Sequence, residues 1–128
     1  MKIVSKTWGM EIWFVNNEHY CGKRLIFAED HRCSIHWHKE KHETFLVDNG
    51  RVLVEIFRTS APVVTKDTSV FLMLPQKAYF LEVGQTMEIP QGIPHRITAI
   101  GGNASIIEFS THHEDSDSYQ GETGQVWD

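Results

Sequence analysis

Short runs of Val, Ile, Phe and Trp alternate with polar positions along this chain, and Gly, Pro, Asn or Asp interrupts them every few residues. No window keeps apolar residues at i, i+3, i+4 and i+7 for three turns, so the pattern predicts strands and no long helix. The predicted strands are 11–16, 23–29, 33–38, 44–47, 51–58, 69–74, 87–89, 95–100 and 104–110. Asp48-Asn49-Gly50 predicts a β-hairpin turn, because Asn-Gly supplies the positive φ that a tight connection needs. Gly101-Gly102-Asn103 repeats the signal between the last two strands, while Ser60-Ala61-Pro62 and Pro75-Gln76-Lys77 mark longer loops. Many short antiparallel strands without helices must close or stack, since an open sheet leaves exposed edges. The expected fold is all-β, a barrel or jelly roll.

Composition narrows the function. At 128 residues and 41% hydrophobic, the chain is expected to be a single domain over 1–128 with a real core. From about residue 112 the sequence turns acidic and polar, a tail expected to pack along an edge or stay mobile. The net charge of -5, with Lys and Arg scattered, lacks the basic footprint of nucleic-acid binding, which leaves a small molecule as the expected partner. No apolar run approaches the roughly 20 residues that span a bilayer, and the N-terminus lacks a secretory segment. A soluble, cytoplasmic protein without membrane contact is expected. Cys21 and Cys33 lack a CxxC spacing and read as buried, reduced thiols.

The chemistry concentrates in HWHKEKHETFLVDNG, residues 36–50. Strand alternation puts His36 and His38 on one face and Ile35 and Trp37 on the other. Glu43, at the start of the next strand, can swing to the same pocket, and His95 opens a later strand after the turn Ile89-Pro90-Gln91-Gly92-Ile93-Pro94. Three neutral imidazoles and one carboxylate suit a single divalent transition metal ion (Mn, Fe, Co, Ni or Zn). Such a set leaves coordination positions open for substrate or water, and hence for catalysis. An HxH pair alone is more often a structural feature than a metal site; the full set with its glycines and prolines shifts the balance.

His36-x-His38-x4-Glu43-x6-Gly50 resembles the first motif of the cupin superfamily, and Gly84-x5-Pro90-x-Gly92-x2-His95 resembles the second. Two positions depart from the pattern. Asp30 stands where the first motif usually begins with Gly, and Ala99 where the second usually ends with Asn; Asp tolerates left-handed backbone, and neither change removes a ligand. The resemblance implies a double-stranded β-helix, the cupin jelly roll. Lys6-Thr7-Trp8-Gly9-x-Glu11, Tyr20-x-x-Lys23-Arg24-Leu25 and Pro90-x-Gly92-x-x-His95-Arg96 are also similar to the cupin domain of type II mannose-6-phosphate isomerases, where Gln usually occupies the position of His36. His36-Trp37-His38-x-x-Lys41-x-Glu43 looks like the HxHxxKxE core of D-lyxose isomerases. Both imply an aldose–ketose isomerase acting on a sugar or sugar phosphate. They also imply a homodimer, since small cupins commonly pair.

Such an enzyme needs a Lewis acid for two sugar oxygens and a base for a carbon-bound hydrogen. With Glu43 kept as a metal ligand, Glu108 is the expected base, and Glu11 and Glu43 itself are alternatives. Lys41 shares the parity of Glu43 and, by the lyxose isomerase pattern, holds or protonates a sugar oxygen. Lys23 and Arg96 are candidates for contacting hydroxyls or a phosphate, with a surface role equally open to each. His42 is expected outside the pocket, and His19, His31, His112 and His113 are expected in solvent. Core packing accounts for most of the aromatic residues. Two other readings fit the same ligands: a non-haem metal dioxygenase, which calls for a mostly apolar pocket, and a sugar-binding cupin without turnover.

Overall fold

The computed structural model describes residues 1–60, 63–65, 68–121 and 126–127. Thirteen strands occur among them: β1 (Lys2–Lys6), β2 (Gly9–Asn16), β3 (Cys21–Phe27), β4 (Ile35–His38), β5 (Glu43–Asn49), β6 (Arg51–Thr59), β7 (Val63–Thr65), β8 (Thr68–Glu82), β9 (Thr86–Ile89), β10 (His95–Ala99), β11 (Ala104–Ser110), β12 (Ser118–Gly121) and β13 (Val126–Trp127). A single 3-10 turn, Asp115–Asp117, precedes β12. No helix of the described residues is long and apolar enough to cross a membrane.

The strands form two antiparallel sheets, ordered β1-β2-β3-β11-β5-β9 and β12-β4-β10-β6-β8-β13, with β7 on β8. Alternation buries one face of each. Along β3, Cys21, Lys23, Leu25 and Phe27 are buried and the intervening residues half-buried. Phe27, Phe45, Val47, Val52, Ile97 and Ile106 are among the residues that fill the space between the sheets. Each such aliphatic or aromatic side chain contributes about 1.5–3 kcal/mol on leaving water. A smaller cluster of Ile35, Phe57 and Met73 lies on the other face of the second sheet, with Trp37 packed on it. Both cysteines are free and buried.

Asp48-Asn49-Gly50 is a turn, but it does not close a hairpin. β5 pairs with β11 and β9, whereas β6 pairs with β10 and β8, so the turn carries the chain from one sheet to the other. Gly101-Gly102-Asn103 crosses in the same way between β10 and β11. The two corners pack together: a Cβ on Gly50, whose φ is 73°, would lie 2.4 Å from the Asn103 carbonyl oxygen. Local turn chemistry sets the reversal, while burial of both strand faces chooses the partners.

Pro75-Gln76-Lys77 is not a loop but lies inside the long strand β8, where the register shifts opposite Ile56 and Phe57. The bulge accommodates a residue without an N–H. Of the predicted loop at Ser60-Ala61-Pro62, residues 61 and 62 lie outside the described residues. Asp30 adopts φ 57°, the left-handed turn that its position in the first motif demands.

Candidate metal centre

β4 and β10 lie side by side, with His36 directly opposite His95 in the ladder. The turn before β10 is tied to β4 by Gly92, whose N–H donates to the His38 carbonyl at 2.6 Å. β5 lies in the facing sheet and brings Glu43 inward at its first residue. Three segments distant in sequence therefore deliver three imidazoles and one carboxylate to one place.

Each imidazole is oriented by the main chain. Nδ1 of His36 contacts Ser34 O at 3.0 Å, Nδ1 of His38 contacts Asp117 O at 3.1 Å, and Nδ1 of His95 contacts Ile93 O at 2.9 Å. A carbonyl only accepts, so in all three rings Nδ1 carries the proton and Nε2 keeps its lone pair. Nε2 of His38 is 3.7 Å from Glu43 Oε1, and Nε2 of His95 is 3.4 Å from Glu43 Oε2. The ligand atoms of His36, His38 and Glu43 all fall within 4.8 Å of one another. Metal–ligand bonds of about 2.0–2.2 Å place neighbouring ligands about 3–4 Å apart, which these spacings approach.

The donor set fits a cation by a second criterion. Glu43 Oε2 and His95 Nε2 are buried without a hydrogen-bond partner among the described residues. Two acceptors facing each other in the interior are costly unless a positive charge joins them. Burial, reinforced by the positive charge of Lys41, pulls His38 down to about 4 despite the opposing pull of Glu43. Burial opposes the charge on Glu43, but the Lys41 ammonium 3.1 Å away more than offsets it and holds the carboxyl well below its usual range. A neutral His38 beside an ionised Glu43 is the pairing of protonation states that a divalent ion requires.

Beside these four side chains lies a cavity of about 400 Å³, whose walls include Glu11, Trp13, Lys23, Lys41, Glu108 and His113. Lys41 sits in the bend before β5, and its Nζ reaches Glu108 Oε2 at 2.8 Å, Glu43 Oε1 at 3.1 Å and His113 Nδ1 at 3.0 Å. Burial works against its charge; Glu108 and Glu43 outweigh burial and raise its pKa. Glu108 moves the other way from most paired acids, because burial and the nearby Glu43 charge push it up more than Lys41 and Lys23 pull it down.

The structure thus brings Lys23, Lys41 and Glu108 together with His36, His38, Glu43 and His95, and does not bring Arg96. Next to the inward His95, Arg96 faces the other side of β10, where it forks onto Glu55 at 2.9 and 3.1 Å and lies over Phe57. It does not line the cavity. His42 is also outside, paired with Glu88 at 2.8 Å.

His113 corrects the expectation of a solvated ring. It is buried, accepts from Lys41 and donates through Nε2 to Asp115 Oδ1 at 2.9 Å. Burial and the nearby Lys41 and Lys23 charges lower it to about 4. The tail that carries it folds back as β12 along β4. Asp117 was equally unforeseen: its carboxylate accepts the N–H groups of Lys39, Glu40 and Lys41 at 2.9–3.2 Å and so fastens the bend that carries Lys41. No spacing in the acidic tail signals either role, because both depend on where the chain returns.

A sequence profile described as Cupin matches residues 14–125. No curated protein sequence matches the chain. Among solved structures, the capsular polysaccharide assembling protein CapF from Staphylococcus aureus superposes with a TM-score of 0.72 at 22% identity, covering 95% of this chain and 34% of its own. Oxalate decarboxylase from Bacillus subtilis gives 0.72 at 18% identity, over 93% of this chain and 29% of its own. KdgF from Halomonas sp. gives 0.65 at 13% identity, over 84% and 81%. The chain spans about a third of the length of the CapF chain, and these likenesses speak to the fold alone.

Proposed function

The chain belongs to the cupin family, and from that premise we propose that it is a metal-dependent aldose–ketose isomerase acting on a sugar or sugar phosphate. His36, His38, His95 and Glu43 would hold the metal. When bound, a divalent ion supplies a Lewis acid for the sugar's oxygens.

The observation that carries the reading is the Lys41–Glu108 pair, 2.8 Å apart and buried beside the proposed ligands. Interconverting an aldose and a ketose takes a proton from the carbon beside the carbonyl and returns one to the former carbonyl carbon. Glu108, its pKa raised by burial and by Glu43, is the base that accepts this proton at a carboxylate oxygen and gives it back on the neighbouring carbon. The Lys41 ammonium, its donors held by Glu108, Glu43 and His113, lends its positive charge to the sugar oxygen on which negative charge collects as the proton leaves. His113 holds Lys41 from behind, and Asp117 fixes the bend from which it reaches.

The wall favours a polyol over the apolar substrate of a dioxygenase. Lys2, Lys6, Lys23, Glu11 and Glu108 all border the cavity, which matches a substrate rich in hydroxyls. The test supplies metal and a panel of pentoses and hexoses, free and phosphorylated, and follows products by chromatography. A ketose from one aldose, abolished in Glu108→Gln, is the expected result. Tight binding without any product would leave a sugar-binding cupin in place of the enzyme. Elemental analysis tests the ligand set separately, and a His36→Ala/His38→Ala variant retaining the parent's metal would remove it.

A further inference from the structure

We infer that the part of the cavity beside Trp13 is an anion subsite, in which Lys23, supported by Lys2 and Lys6, binds a phosphate or carboxylate carried by the substrate. This deepens the isomerase reading and rests on it for the rest of the substrate.

Lys23 is the carrying observation. Its side chain is 3% exposed, yet its nearest ion partner, Glu11 Oε1, is 3.6 Å away, beyond hydrogen-bonding distance. Among the described residues its ammonium makes no hydrogen bond, although it has three N–H groups to give. It lies 3.9 Å above the Trp13 ring, and a cation over an aromatic face keeps its donors free for another acceptor. Glu11 is in turn occupied elsewhere: it accepts from Trp13 Nε1 at 2.8 Å and faces Lys6 at 4.0 Å.

Charge points the same way. Lys2 lies 4.6 Å from the centre of the Trp13 ring, so three ammonium groups border this end of the cavity. Against them stand three carboxylates with partners of their own: Glu11, engaged by Trp13, Asp115, engaged at the rim by His113, and Glu108, engaged by Lys41. Lys41, saturated by two carboxylates and an imidazole, offers nothing comparable. The subsite reaches from the buried Lys23 to the half-exposed Lys6, a depth suited to one charged substituent of the substrate.

The test is calorimetric binding to the metal-loaded protein of mannose 6-phosphate, mannuronate and mannose, which share a ring and differ in the terminal group. The anionic sugars are expected to bind at least about tenfold more tightly than mannose, and whichever leads identifies phosphate or carboxylate as the natural group. Lys23→Met is expected to weaken the anionic ligand by about 10- to 100-fold and mannose by less than about threefold. Equal binding of the three sugars, or an unchanged affinity in Lys23→Met, would overturn the inference. Should Lys23→Met not fold, the rim variant Lys2→Gln/Lys6→Gln decides: about a fivefold selective loss supports the subsite and no loss removes it. Charge-selective binding without turnover would sink the isomerase and keep the subsite; turnover of mannose without preference for an anion would do the reverse.

Discussion

Two lysines are buried in the same cavity, 3% and 2% exposed at their side chains, and they live in opposite circumstances. Lys41 is held by Glu108, Glu43 and His113, all within 3.1 Å, and the bend beneath it is fastened by Asp117. Lys23 has one carboxylate at 3.6 Å and an aromatic face. A buried charge whose donors are all used is part of the site's framework, and removing it leaves its partners unpaired. A buried charge with donors unused is set toward something outside the protein. Burial alone does not separate the two roles; the count of satisfied donors does.

The sharpest way to break this contrast is to delete each ammonium in metal-free protein. Lys41→Met strands Glu43 and Glu108 in the interior and is expected to cost about 3–5 kcal/mol in urea unfolding. Lys23→Met leaves Glu11 with Trp13 and Lys6 and is expected to cost under about 1 kcal/mol. Equal losses would erase the distinction.

The next effect is pH dependence, again in metal-free protein. His38 and His113, both lowered to about 4 from an ordinary 6.5, are neutral in the folded protein and protonate first in the unfolded chain. Stability is therefore intact above pH 6.5 and falls between about 6.5 and 4, by about 2–3 kcal/mol after allowance for solvent screening. Glu108, raised in the folded protein, offsets part of this at the acidic end. Flat urea midpoints across that window would show that neither ring is as buried as the structure places it.

The smallest effect sharpens the framework side. Asp117→Ala removes the acceptor for three N–H groups and is expected to cost about 1–2 kcal/mol. If Lys41 depends on that anchor, the variant also loses isomerase activity through kcat with KM little changed. A stability loss with full kcat would limit Asp117 to holding the fold.

Much of the site is visible in the primary structure because its rules are local. His36-x-His38 must share a face in any strand, Asp30 must accept a left-handed turn, and Gly92 must allow the reversal that precedes His95. Period-two alternation likewise gives β11 its bounds, Ala104–Ser110, and turns Arg96 to the face opposite His95 once the strand is granted. Other features have no local sign. Asn49-Gly50 has the chemistry of a hairpin, yet its flanking strands belong to different sheets, and only the closing of both sheets over a common core decides that. The tail from about residue 112 reads as acidic and polar, with packing along an edge and mobility both open, and its residues do not choose between them.

The residue pattern by itself determined an all-β chain and the identities of three imidazoles and one carboxylate suited to a cation, since side-chain parity and donor chemistry travel with the residues. Only the tertiary structure decided that the returning tail would bury His113 against Lys41, that Asp117 would fasten the bend, and that Lys23 would keep its donors free. Those outcomes rest on contacts between segments up to about a hundred residues apart, such as Asn16 with His113, 97 positions away, and burial energy selects such contacts without leaving a trace in neighbouring residues.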